Sequence, residues 1–191
     1  MRLFRPGTPR DTNALHAVLR RGTIDELDGV YKRSWVRYDY GGTTTLLNLA
    51  LANPDPVQRV ALANRLIDDG VGVDRWQPLH VLFGRNDHDF ELEAPLVQRM
   101  LEEGADVNRV VRDKLRGTPL ESLAGKGKFS DRVLAPFYDV LLAWPELDLL
   151  QTSSHDRSVL TNLRKLVPIR AELVERAEQT LRDRGIAVPP A

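Results

Sequence analysis

The sequence predicts an all-α protein built as a stack of about five helix pairs, and three observations predict it. A seven-residue opening recurs as Thr44-Thr-Leu-Leu-Asn-Leu-Ala50, Gln77-Pro-Leu-His-Val-Leu-Phe83 and Thr118-Pro-Leu-Glu-Ser-Leu-Ala124, flanked by weaker copies at Asn13–Leu19 and Ser158–Arg164. Each opening precedes a longer amphipathic stretch. Those stretches close on Leu66-Ile-Asp-Asp-Gly-Val-Gly-Val-Asp74, Met100-Leu-Glu-Glu-Gly-Ala-Asp-Val-Asn108 and Leu141-Leu-Ala-Trp-Pro-Glu-Leu-Asp148. Recurrence at this spacing marks a repeat architecture, in which each unit buries its apolar face only against its neighbours.

The elements follow in chain order. Residues 11–42 form an imperfect first unit, and the next units run over 43–76, 77–117, 118–157 and 158–185 in a single domain. Thr118-Pro119 reads as a helix start, because a hydroxyl caps free N–H groups while proline fits the first turn; Gln77-Pro78 fits in part. Leu79, Val81, Leu82 and Phe83 are apolar nearly all round, as expected of a short helix between neighbours. Segments 57–69 and 94–103 carry the stripe of outer helices, with Leu96, Val97, Met100 and Leu101 inward. Gly70 and Gly104 sit where those helices end, in the position that favours a left-handed residue. Residues 53–56, 85–93 and 125–132 read as polar loops between the two helices of a unit. The last helix, 169–184, has one apolar stripe and a charged outer face, as a terminal cap requires. Gly185 stops it, and residues 186–191 are expected to fray.

These residues resemble the ankyrin repeat, with its Thr-Pro-Leu-His opening and Leu-Leu-x-x-Gly-Ala-Asp-Val-Asn close. The match is tight over 100–108 and 118–124, looser elsewhere, and spans roughly 12–185. The resemblance implies a right-handed solenoid with short inter-repeat hairpin loops, partner binding through those fingers and the inner helices, and no cofactor. Openings at Asn13, Thr44, Gln77, Thr118 and Ser158 lie 31, 33, 41 and 40 residues apart, against a usual period of about 33. The excess falls mainly in the interhelical loops. Asp74–Gln77 is too short for a hairpin, whereas 108–117 and 149–157 are long enough.

Composition narrows the function. The chain has 191 residues, no cysteine, and 27 basic residues against 27 acidic. Absent cysteine excludes disulfides, thiolate catalysis and Cys-based zinc sites. Balanced charge disfavours nucleic acid as the main partner, since phosphate contact demands a basic excess. The first residues lack a secretory apolar stretch and no run reaches membrane-spanning length; Leu134–Leu150 is broken by Asp139, Pro145 and Glu146. A cytoplasmic protein without a membrane partner is expected, and a monomer is favoured. Only five of the 27 basic residues are lysine, an arginine bias that suggests a high-GC bacterial source.

No catalytic constellation stands out, so a non-catalytic protein is expected. His16 and His80 fill the fourth place of the opening, where the resemblance implies a structural role. Asp87-His88-Asp89 has metal-ligand types, but three consecutive side chains in a polar loop diverge, and a site needs converging ligands. His155-Asp156 with Ser153, Ser154 and Ser158 lacks triad geometry, and Ser158 or Asp156 reads as the cap of the last repeat. Gly125-Lys-Gly-Lys128 lacks the full phosphate-loop spacing. The binding candidates are Trp35, Arg37, Tyr38 and Tyr40 in the first connector, Trp76 in the second, and Arg109, Arg112, Lys114 and Arg116 in the third. Tyr, Trp and Arg combine large contact area with a polar handle. The first group serves either as partner contacts or to seal the imperfect first repeat; the basic row fits an acidic partner or a solvated finger. The function expected is protein binding, as an immunity or antitoxin-like protein that blocks a toxin or as a regulatory adaptor. The alternative from another class is a metal-dependent hydrolase using His80, Asp87 and His88. That alternative requires stoichiometric metal in the purified protein, which elemental analysis measures; metal-free protein is the outcome expected.

Overall fold

The computed structural model describes residues 12–36, 45–111 and 117–190. Among these the protein is all-α: ten α-helices, two isolated antiparallel bridges and no strand. The chain divides into two compact units, Met1–Ala105 and Asp106–Ala191.

In the first unit the helices are α1 (Thr12–Arg21), α2 (Ile24–Val30), α3 (Leu46–Leu51), α4 (Pro56–Asp68), α5 (Pro78–Phe83) and α6 (Phe90–Glu102). The short helices α1 and α5 flank α3, and the second helices α2 and α6 flank α4, so the unit has two layers. All six residues of α3 are buried, as are five of six in α5. Such helices have no solvent face, which is why their sequences lack a polar stripe. The longer helices keep one: α4 buries Leu62, Leu66 and Ile67, and α6 buries Leu96, Val97, Met100 and Leu101.

Local chemistry sets the ends. Thr45 accepts from Asn48 N at 3.2 Å and caps α3. Thr45 has the extended cap geometry, so the opening is registered on Thr45, one residue later than the sequence reading placed it. Asp55 caps α4, with Pro56 at the first helical position. At the C-terminal ends of α4 and α6, Gly70 and Gly104 have φ of 94° and 96°. Val71 N then reaches Leu66 O and Ala105 N reaches Met100 O, satisfying carbonyls the helices leave open. Helix α6 starts at Phe90 rather than 94, because Asp89 supplies the cap by accepting from Leu92 N at 3.1 Å; Pro95 consequently lies inside the helix.

The second unit comprises α7 (Pro119–Ala124), α8 (Asp131–Ala143), α9 (Val159–Arg164) and α10 (Ala171–Asp183), with α7 against α9 and α8 against α10. Thr118 and Glu121 form a reciprocal capping box at the start of α7, and Ser158 caps α9 by accepting from Thr161 N. Helix α8 ends at Trp144, held extended before Pro145. No glycine closes α8, and Arg184 instead donates to Leu142 O, Trp144 O and Leu147 O. Helix α10 lacks a cap of its own; Asp131 Oδ2 accepts from Glu172 N and Leu173 N. Arg164 at the end of α9 donates to Pro189 O and Pro190 O at 2.9 and 3.0 Å.

Two arginines with fully buried side chains organise the interhelical loops. Arg59 Nε donates to Asn53 O at 2.8 Å, its terminal nitrogens donate to Asp87 O and Asp87 Oδ1, and it pairs with buried Glu93. Arg170 Nε donates to Ala124 O at 2.7 Å, and its terminal nitrogens reach Lys126 O, Phe129 O, Ile169 O and Asp131 Oδ1. Removing either guanidinium strands buried acceptors, including a carboxylate. Arg170→Met is expected to destabilise the protein by roughly 3–5 kcal/mol in chemical denaturation, with no rescue by Arg170→Lys, whose single ammonium cannot reach all five acceptors. Asp87 supplies a pH test. Burial raises its pKa, but the hydrogen bond from Arg85 and the charges of Arg85 and Arg59 outweigh this and hold it below its ordinary 3.8. Its ionised form therefore contributes stability above pH 3.8 that is lost as pH falls through the lowered folded value. Asp87→Asn is expected to be less stable than wild type at neutral pH, with the difference closing below pH 3.8 in denaturation curves.

Candidate partner-binding site

The connectors between one helix pair and the next carry the strongest local constraints. In the second unit, antiparallel bridges join Val111 to Gly117 and Thr152 to Ser158, so both connectors close at their base. Ser153 N donates to Arg157 O and Arg157 N to Ser154 O across the second. His155 and Asp156 at its tip have φ of 58° and 54°, the left-handed pair that a type I′ turn demands. Both side chains are exposed.

Side chains from the opening motif brace these connectors. Glu121, the fourth residue of its opening, accepts from Thr118 N at 2.7 Å, Asn162 Nδ2 at 2.7 Å, Ser154 Oγ at 3.3 Å and Ser153 Oγ. One carboxylate thus fastens its own helix start to the hairpin that follows α8. A Cβ on Gly117, which has φ of 63°, would collide with this carboxylate. Asn48 does the same service in the first unit: at the fourth place after capping Thr45 is counted as the first, its Nδ2 donates to Trp76 O at 2.7 Å. His80 fills that place on α5 and is buried. A second lacing joins the two connectors of the second unit. Asn108 donates to Glu146 O, accepts from Asp148 N, and its carbonyl receives Gln151 Nε2; Asp148 in turn accepts from Leu150 N and Gln151 N.

The connector over 71–77 is different. Trp76 and Gln77 both have φ of 57°, and the Trp76 ring is 46% exposed. A bulky residue in this conformation costs about 1–2 kcal/mol. An exposed indole adds apolar surface facing water, so this position is doubly unfavourable for the isolated protein.

The sequence candidates distribute as follows. Trp35 lies in a 3₁₀ turn over Arg33–Trp35, half-buried with Lys32 Nζ 5.9 Å from the ring centre. Trp76 and Arg109 are exposed. Arg37, Tyr38, Tyr40, Arg112, Lys114 and Arg116 lie outside the described residues. The Asp87-His88-Asp89 segment diverges, yet it is not a solvated loop. Asp87 engages Arg59 and Arg85, Asp89 caps α6, and the His88 side chain, 1% exposed, meets Glu93 at 2.7 Å. Among the described residues no group of three such side chains is placed to hold a metal. A shallow groove of about 490 Å³ between α8 and α10 is lined by Asp139, Arg176, Gln179 and Asp183, which pair among themselves. Sequence reading missed Asn108, Asp148, Glu121 and Asn48. A signal existed, since Asn108 and Asp148 each end a closing motif, and Asn48 and Glu121 fall at the place of the opening histidine.

Comparison with known proteins places the fold and nothing further. No family model and no curated protein matches the chain. A solved structure, the crystal structure of a functionally unknown protein from Leptotrichia buccalis C-1013-b, superposes with a TM-score of 0.65 at 14% identity, covering 92% of this chain and 96% of that one.

Gly117→Ala is expected to destabilise by more than about 1–2 kcal/mol, the strain of a left-handed alanine alone, because Glu121 must also withdraw. His155→Gly should do the opposite, raising stability by about 0.5–1 kcal/mol as tip strain is relieved, less the added freedom of the unfolded chain. Unfolding midpoints in urea measure both.

Proposed function

We propose that this protein is a non-catalytic binding module of the ankyrin type, a repeat solenoid whose connectors grip a protein partner. The observation that carries the reading is the pairing of rigidity with local strain in the connectors. His155-Asp156 and Trp76-Gln77 are consecutive non-glycine residues in left-handed conformations, all exposed but the half-buried Gln77, in connectors held by bonds from Glu121 and Asn48. Strain of this kind persists where the surrounding structure over-determines it, and it clusters at ligand-contacting segments. Glycine would be the easier residue at each position, so the side chains gain their use in what they touch. A connector already held in its bound shape also loses less entropy on association.

The repeated helix pairs, the capped openings and the two bridged connectors agree with an ankyrin-type array, and the interhelical loops are longer than that family's. The metal-hydrolase alternative is weakened by the engagement of Asp87 by two arginines and of His88 by Glu93. In a small stand-alone array, the role proposed is that of an immunity or antitoxin-like protein that occupies a toxin's cleft; a regulatory adaptor uses the same surface.

Affinity purification of the full chain from its native host, followed by identification of the bound protein, tests this directly. Trp76→Ala combined with His155→Ala is expected to weaken capture of that protein by at least about tenfold, the loss of one hot-spot side chain, while circular dichroism shows the helical fold retained. Undiminished capture by the double variant would remove the connectors from the interface.

A further inference from the structure

Exposed apolar side chains gather at the other end of the helix pairs. Among the described residues the large apolar groups that face water are Val57, Trp76, Leu92, Val133, Val167, Ile169 and Ile186. Five of them lie within four residues of the start of an outer helix: Val57 at α4, Leu92 at α6, Val133 at α8, and Val167 and Ile169 at α10. They lie on the interhelical loops or on the first helical turn that follows them, and in the second unit these loops are separated from the connectors by α8, about 18 Å long.

In the second unit the loops form one constructed surface. The buried Arg170 guanidinium donates to Lys126 O, Phe129 O and Ile169 O, so loops 125–130 and 165–170 lie side by side with these carbonyls turned inward. Ile169 is 63% exposed, Val167 50% and Val133 44%. Around them the charge is one-sided. Over 125–133 and 165–172 the cations other than Arg170 are Lys126, Lys128, Arg132 and Lys165, and the carboxylates are Asp131 and Glu172. Asp131 is buried and paired with Arg170, which leaves Glu172 as the one exposed acid. The corresponding loops of the first unit, with Val57 and Leu92, carry the opposite sign. There Asp55, Asp89 and Glu91 are exposed, and Arg85 is paired with Asp87.

We propose that the interhelical loops of the second unit dock an acidic protein segment bearing aliphatic side chains. Val133, Val167 and Ile169 receive its apolar groups, and Lys128, Arg132 and Lys165 face its carboxylates. Complementary charge of this kind selects partners and speeds encounter, while aliphatic contact supplies area excluded from water. A lipid surface fits less well. The apolar groups are short aliphatics on two loops, whereas interfacial membrane binding uses a continuous amphipathic helix with large apolar side chains. The surface is distinct from the connectors, and the inference stands without them.

The test uses the full chain and a synthetic library of 15-residue peptides varying independently in net charge and aliphatic content, read by fluorescence anisotropy. Binding is expected only for peptides that are both acidic and aliphatic. Lys128→Glu with Arg132→Glu and Lys165→Glu should weaken it by at least about tenfold through like-charge repulsion, and Val133→Ser with Ile169→Ser should weaken it comparably. All five positions are exposed, so the unfolding midpoint should hold. Trp76→Ala with His155→Ala, at the connectors, and Val57→Ser with Leu92→Ser, at the acidic loops, should bind the peptides as wild type does. Binding that ignores peptide charge, survives the charge reversal, or is lost in the connector variant overturns the proposal. So does the absence of any bound peptide, or adsorption to phosphatidylserine vesicles in preference to every peptide.

Discussion

A guanidinium withdrawn from water must find acceptors for its N–H groups and an opposing charge, or the fold does not tolerate it. Arg59 and Arg170 meet that demand in the same way. Each takes carbonyls from loops that would otherwise have no regular hydrogen bonding, and each meets a buried carboxylate near the start of an outer helix. The loops between paired helices run to six residues, as at 84–89, 125–130 and 165–170. Their inward-facing carbonyls need donors. One planar cation in each unit satisfies several of them at once. Asp131 shows how far the dependence reaches: it pairs with Arg170, accepts from the Tyr138 hydroxyl, and caps α10. Burial, chiefly, then pushes the Tyr138 phenol's pKa upward.

The same logic, with the sign reversed, governs the connectors. There the fixed element is a carboxylate or amide on the inner helix, and the groups it gathers are hydroxyls and backbone atoms of the next connector. Glu121 holds Ser153 and Ser154, and Asn48 holds Trp76. Where both ends of a helix pair are described and braced in this way, they are therefore held by different chemistry. A guanidinium organises the interhelical loops, and short-range acceptors and amides organise the connectors. Stiff ends let exposed side chains such as Trp76, His155 and Ile169 be presented in one conformation, which is the condition for binding without a large ordering cost.

Much of this was legible in the sequence, and for a physical reason: helix boundaries are set by groups within a few residues of one another. Thr118-Pro119 caps α7 as its residues require, Gly70 and Gly104 close α4 and α6, and the apolar run of α5 is buried on nearly every side. The errors were also local. Helix α6 begins at Phe90 because Asp89 caps it, and the first full opening is registered on Thr45.

What the sequence determined by itself was the helical periodicity, the places where helices begin and end, and which connectors are long enough to close into a bridge. Tertiary structure alone decided which polar residues are core. Arg59 and Glu93 stand 34 residues apart in the chain, and Arg170 reaches Ala124 across 46. Nothing within one turn of either arginine announces that it is buried, since the acceptors that make burial tolerable arrive only when separate helix pairs pack. The same holds for Arg164, whose guanidinium reaches the carbonyls of Pro189 and Pro190, 25 and 26 residues further along the chain.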